Sequence, residues 1–140
     1  HPGLAAIYEH APAGDAGVEM TERRQGLLMR APAWTWSLPR TNIILRGVMF
    51  QKKILCNDIP SPNVDIVDSR DENALTEAEL LSVTNRAAVT YQTDSPVCMG
   101  CHSVINPTGF ALESLDALGR LRSAEKMFDR NNGNTYVRDL

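Results

Sequence analysis

Cys98-Met99-Gly100-Cys101-His102 constrains this chain more than any other stretch, because it spaces two thiols and an imidazole as one face of a helix would present them. The cysteines stand three residues apart and His102 follows Cys98 by four, about one turn further on. A single helical surface can then offer all three groups to one planar ligand. The pattern is that of a c-type haem attachment site, in which the thiols add to the porphyrin vinyl groups and the imidazole takes the proximal position on iron.

Chance explains the pattern poorly. With only 3 cysteines and 3 histidines in 140 residues, it arises on the order of once in a thousand such chains. The residues before it carry helix-start chemistry, Ser95 as N-cap and Pro96 at the first helical position. A thioredoxin-like dithiol would instead follow a strand in a βαβ setting. A zinc site needs four spaced ligands, and Cys56, Cys98, Cys101 and a remote histidine would be the whole supply, with no second C-x-x-C or H-x-x-x-H to complete it. Zinc and the redox dithiol stay as the alternatives to haem.

Composition sets the remaining bounds. A chain of 140 residues with 43% hydrophobic side chains can bury one ordinary core, to which a haem would add apolar area. A net charge of −3, with lysines and arginines scattered along the chain, gives no electrostatic reason to expect nucleic acid. No run of apolar residues is long enough to span a membrane. The start at His1-Pro2 reads as a mature or excised piece with its upstream part missing. Covalent haem attachment takes place outside the bacterial cytoplasm, so the expected location is periplasmic or extracellular.

The expected fold is mostly α, a cytochrome-c-like helical domain with long proline-marked loops and a short C-terminal hairpin. Residues 1–20 read as the tail of a preceding domain or a flexible segment, with a short helix over 3–10, and residues 21–140 as the c-type haem domain. Thr21 caps a turn over Glu22–Met29, and Ala31–Pro39 is a loop bearing Trp34 and Trp36, which would cover a haem edge or fill a gap against another domain. Thr41 starts a helix whose Ile44, Leu45, Val48 and Met49 keep a helical period up to Cys56. A surface linker follows from Asn57 to Asp71. Thr76-Glu77-Ala78-Glu79 is a capping box, opening a helix whose apolar face runs through Leu80, Leu81, Val83, Ala87, Ala88 and Tyr91 for about four turns. Beyond the haem motif, Thr108 caps a helix over Gly109–Leu118 that Gly119 ends. Asn131-Asn132-Gly133-Asn134 is a turn between two short strands.

The stretch after the motif, from His102 through Asn106-Pro107-Thr108-Gly109-Phe110-Ala111-Leu112-Glu113 to Asp116-Ala117-Leu118-Gly119-Arg120-Leu121-Arg122, resembles a signature of large secreted bacterial proteins of unknown function with a cytochrome-c-like domain. There C-x-x-C-H leads into D/N-P-x-G-F-A-L-E-x-x-D-A-x-G-R-x-R. Arg24–Leu28 is similar to that family's R-x-G-L-L segment, and Arg40-Thr41 with Arg46-Gly47 to its R-T-x-x-x-x-R-G segment. The likeness covers most of residues 23–129, although Asp58–Val64 is less proline-rich than the family's usual linker. The resemblance implies a small haem domain attached to a larger secreted protein and no established reaction.

From the residues themselves, one covalent haem suits single-electron transfer between a redox partner protein, or an attached redox domain, and an acceptor. His102 is the proximal ligand. Met127 is the first candidate for the distal position, then Met49 or Met29, each weighed against a place in the core. A backbone carbonyl near Asn106-Pro107 is the expected acceptor for the second imidazole nitrogen, with Pro107 otherwise a plain turn residue. Phe110, Leu112 and Leu115 would line the crevice. Arg120 would meet a haem propionate, while Arg46 and Arg122 read as solvated charges or as partners of Glu113 or Asp116. Cys56 reads as a small buried apolar residue. An open iron site binding small ligands or peroxide, and a docking module stapled by its haem, are the alternative functions.

Overall fold

The structure is a computed structural model, and it describes residues 7–8, 26–30, 41–62 and 74–140. The short helix over 3–10 is represented only by Ile7 and Tyr8, which are helical, and the expected cap at Thr21 and the loop with Trp34 and Trp36 lie outside the described residues. A 3-10 turn covers Leu27–Met29, entered through Gly26 at φ 83°. Four α-helices follow: α1 (Ile43–Met49), α2 (Glu77–Ser82), α3 (Asn85–Thr93) and α4 (Pro96–Phe110). A hairpin of β1 (Ala124–Phe128) and β2 (Thr135–Asp139) closes the chain. The mostly helical fold with a C-terminal hairpin is as expected. No helix among the described residues is long and apolar enough to cross a membrane.

Helices α1 and α4 cross at two glycines. A Cβ on Gly47 would lie 2.2 Å from the Ile105 carbonyl oxygen, and one on Gly109 would lie 2.3 Å from that of Ile43. The backbones therefore touch, and they touch in antiparallel order, Ile43 against Gly109 and Gly47 against Ile105. Only glycine allows so close an approach. Ile43 and Ile105 are buried beside this crossing.

Helix α1 starts one residue later than Thr41 suggested. Asn42 is the cap, its Oδ1 accepting from the Leu45 amide at 2.9 Å, while Thr41 is buried. The helix then widens into a π-helical turn over Phe50–Ile54. Cys56 ends it in the left-handed region at φ 56°, and the Asn57 amide reaches back to the Gln51 carbonyl at 2.9 Å. That is the place usually held by glycine after a helix. The residue is exposed, so the expectation of a buried Cys56 is corrected.

The capping box is present, with Thr76 and Glu79 bonded reciprocally. The four-turn helix expected from it is two helices instead. Val83 is extended, and Thr84 caps α3 by accepting from the Ala87 amide. Tertiary contacts explain the break. Arg138 of β2 donates to the Leu81 carbonyl at 3.0 Å, at the end of α2, and Glu125 of β1 accepts from the Asn85 amide at 2.7 Å, at the start of α3. A cation at a helix end and an anion at a helix start both suit the helix dipoles. The hairpin thus straddles the break.

The helix expected to start at Thr108 is instead the last turn of α4, which runs through Pro107 to Phe110. Thr108 does not cap it, since its hydroxyl donates to the Ile105 carbonyl at 2.8 Å from inside the helix. Proline lacks the amide that the preceding turn would use. The close contact with α1 nonetheless keeps the helix going. Past its end the chain turns, and Leu115 bridges to Leu121. Leu112 and Leu115 are buried there, with Leu28, Met29, Met49, Phe50 and Leu121 against them.

Candidate functional site

Cys98, Cys101 and His102 lie in the first two turns of α4. The start of that helix is as expected: the Ser95 hydroxyl accepts from the Cys98 amide at 3.3 Å, and Pro96 occupies the first turn. The helix fixes the spacing, so the two sulfurs and the imidazole share one side of it. All three are half-buried. Both motif cysteines are free thiols, as is Cys56. Among the described residues, no group of three or more His, Cys, Asp and Glu side chains is gathered to hold a metal ion by itself.

The imidazole is held from behind by a side chain. His102 Nδ1 lies 2.8 Å from Asn106 Oδ1, one turn along α4. Asn106 Nδ2 donates to Thr93 Oγ1 at 2.8 Å, and the Thr93 hydroxyl donates to the Val89 carbonyl at 2.7 Å. Asn106 and Thr93 are both buried. The directions in this chain follow from one another. Because the threonine proton goes to a carbonyl, its oxygen can only accept, so the amide nitrogen of Asn106 must face it. The amide oxygen is then left to accept from His102 Nδ1–H, and in the neutral ring Nε2 is the bare nitrogen. The acceptor is thus the Asn106 side chain and not the backbone carbonyl expected near Asn106-Pro107. The Pro107 carbonyl is taken by the Ala111 amide at 3.1 Å, and Pro107 itself is exposed within the helix.

Other residues singled out from the sequence lie further along. Phe110 is partly buried, with the Arg86 guanidinium 4.5 Å from its ring centroid, and Arg86 is also paired with Glu113. Leu115 is wholly buried at 0% exposure. Arg120 is exposed and bonded to Asp116 Oδ2 at 2.7 Å. Among the methionines, Met127 is buried in β1 at 1% exposure, opposite Tyr136, and Met29 and Met49 flank Leu112 and Leu115.

Arg46 departs most from its expected place as a solvated charge. It is buried at 1% exposure, and its guanidinium donates to the carbonyls of Leu112, Leu115 and Asp116. Burial first, then the neighbouring Arg122 charge, lowers its pKa to about 10, against the opposing pull of Asp116. It stays a cation at neutral pH and ties α1 to the turn after α4. Gln51 adds a second tie, donating to the Val104 carbonyl at 3.1 Å and accepting from Asn57 at 2.7 Å.

Sequence reasoning did not find Asn106, Thr93 or Gln51. Asn106 had a usable signal, since a polar residue four positions after His102 on a helix faces it. Thr93 and Gln51 had none, because each acts across a helix contact.

The family described as PSCyt3, protein of unknown function (DUF1588), matches residues 24–125. The match takes in α1 to α4 and the first residues of β1. No curated protein and no solved structure matches the chain.

Proposed function

We propose that this chain, which belongs to the PSCyt3 family, is a c-type cytochrome domain carrying one covalently attached haem for single-electron transfer, in a protein working in the periplasm or outside the cell. One observation carries the reading: His102 shares a helix side with two unpaired thiols, and its Nδ1 is engaged by Asn106, which leaves Nε2 as a donor to iron. The residues present fit the group. Cys98 and Cys101 would each form a thioether with the porphyrin and His102 would be the proximal ligand. Met127 is the first choice for the opposite face, ahead of Met49 and Met29. When bound, the haem supplies a one-electron couple at iron.

The protein's part is retention and positioning. Thioether bonds to a capped helix keep the cofactor from being lost, which matters where no cytoplasmic supply replaces it. The Asn106 and Thr93 side chains hold the imidazole plane from the side away from iron. Contact between α1 and α4 fixes the second half of the helix and so gives the first half a rigid base. The partners are a donor and an acceptor of single electrons, supplied by a redox partner protein or by an attached redox domain.

Expression alongside a haem-attachment apparatus tests the reading. The expected product keeps its haem after denaturation, gains the mass of one haem, and loses both properties in the double variant C98A/C101A. Its reduced-minus-oxidised spectrum is that of low-spin iron with two protein ligands, and replacing the distal methionine by leucine makes it high-spin. A polypeptide that emerges from that apparatus without covalent haem sinks the proposal. Covalent haem with a high-spin spectrum and fast CO binding in the unaltered chain would replace electron transfer by ligand chemistry at iron.

A further inference from the structure

We propose that Asn106 and Thr93 are positioning residues that set the donor strength of His102, so that the pocket behind the imidazole is built for an amide and tunes the reduction potential of the iron; this rests on the haem reading above. The buried chain runs from the His102 ring through the Asn106 amide and the Thr93 hydroxyl to the Val89 carbonyl, with links of 2.8, 2.8 and 2.7 Å. It joins the ligand on α4 to the backbone of α3. Every link is directional, and a single choice at its far end fixes the rest. The Thr93 proton is given to Val89, so what meets the Thr93 lone pair must be a donor.

An asparagine supplies that donor and still presents an oxygen to His102. An aspartate cannot do both in the same hydrogen-bond arrangement. Its second oxygen would face the Thr93 oxygen with no proton between them, unless the hydroxyl turned away from Val89. Asn106 and Thr93 are both buried, at 7% and 1% exposure, so water is a poor substitute for either partner.

The neutral acceptor has a consequence for iron. An imidazole whose N–H meets a carboxylate is more basic and favours the ferric state, which lowers the potential. One whose N–H meets nothing is a weaker donor and favours the ferrous state. The amide lies between these, and the hydroxyl behind it keeps the amide from turning its nitrogen toward the ring. The α3 helix thereby acts on iron without touching it.

The test uses the full chain in two forms. In the haem-loaded form, the midpoint potential of the ferric/ferrous couple is measured for the unaltered chain, Asn106→Asp, Asn106→Leu and Thr93→Val. The expected result is a downward shift for Asn106→Asp and an upward shift for Asn106→Leu. A role confined to folding would not produce opposite signs. In the haem-free form, ring-nitrogen NMR at a pH where the imidazole is neutral is expected to show His102 as the Nδ1–H tautomer. Thr93→Val is expected to mix the tautomers and to speed ring N–H exchange about fivefold, the scale of one lost hydrogen bond. Shifts of one sign in both Asn106 variants, or no shift, overturn the proposal. So does a His102 tautomer that ignores Thr93→Val, and this second arm reads the hydrogen-bond chain even if no haem attaches.

Discussion

The two halves of α4 are built for different ends. From Pro96 to Val104 the helix carries the thiols and the imidazole, and Val97, Met99 and Val104 are exposed at 66%, 39% and 46%. From Ile105 onward it is pressed against α1, and the turn beyond it is clamped by Arg46. One half offers groups to something else, while the other spends its groups on the protein. The residues of the post-motif signature belong to that second half and, for the most part, to the turn beyond it: Glu113 pairs with Arg86, Asp116 with Arg120, and Arg122 Nε donates to the Glu113 carbonyl at 2.9 Å. The signature therefore describes a support for the attachment helix, and the short C-x-x-C-H carries the proposed chemistry.

The sharpest way to break this division is to remove the clamp. Arg46→Ala strips the carbonyls of Leu112, Leu115 and Asp116 of a buried charged donor and leaves a cavity where α1 meets the turn. Losing hydrogen bonds from a buried charged donor costs about 1.5–3 kcal/mol, and the cavity adds to that loss. Denaturant unfolding of the haem-free chain should show a loss of that size. Arg46→Lys should recover little of it, since a point charge cannot fork between three carbonyls. In the same assay, Cys98→Ala and Cys101→Ala should each cost less than about 1 kcal/mol, as half-buried thiols with no structural bond. Equal losses in the two sets would erase the distinction.

The crossing of α1 and α4 comes next in size. Gly109→Ala puts a carbon against the Ile43 carbonyl at a distance no relaxed structure allows, so the helices must part. Overpacking of this kind costs about 1–3 kcal/mol. A melting curve measures it, and Gly100→Ala is the internal control because nothing lies within 4 Å of a Cβ there. That control should be neutral or slightly stabilising, alanine being the better helix former. If both substitutions behave alike, backbone contact is not what holds α4.

What was legible in the sequence follows the range of the forces involved. Ser95-Pro96, Thr76 with Glu79, and Asn131–Asn134 each act within four residues, and the structure has the caps and the hairpin turn where they were expected. The break at Val83 was missed because the apolar period runs across it, while its causes, Arg138 and Glu125, arrive from about forty to sixty residues away. Pro107 reads locally as an end to a helix, yet α4 continues because Gly109 and Ile105 are committed to α1. Arg46 could not be told from a surface charge, since only the fold brings three carbonyls to it. Of the candidate site, the three motif residues needed no fold at all. Their support needed nearly all of it.

A smaller effect separates the front of the attachment helix from its middle. Ser95→Ala removes the acceptor for the Cys98 amide, a loss of about 1 kcal/mol. Amide exchange at Cys98 should quicken by roughly five- to tenfold on that scale, while Ile105 and Gly109 keep their protection. An equal change at all three amides would mean that α4 opens as one unit and has no independent front half.

The smallest expected effect belongs to the supporting turn and depends on pH. Burial alone would raise the Asp116 carboxyl, but hydrogen bonds from the Arg120 amide, the Arg120 guanidinium and the Leu118 amide outweigh it, and the pKa lies below the ordinary 3.8. A carboxylate depressed by folding contributes its stability in full above the unfolded value. That contribution is lost as pH falls through the folded one. The turn from Asp116 to Arg120 should therefore loosen only in strong acid, later than an unpaired aspartate would allow. Amide shifts of Leu118 and Arg120 followed during acidification should move together with the Asp116 side-chain carbon, below pH 3.8. In Asp116→Asn that movement should vanish, at a cost near neutral pH of less than about 1 kcal/mol because the Arg120 partner is solvated. The Cys98 amide, bonded to an uncharged serine, should show no step in that window. A step at Cys98 coincident with Asp116 would show the two halves of α4 to be coupled through the turn, and the support would then also regulate what it supports.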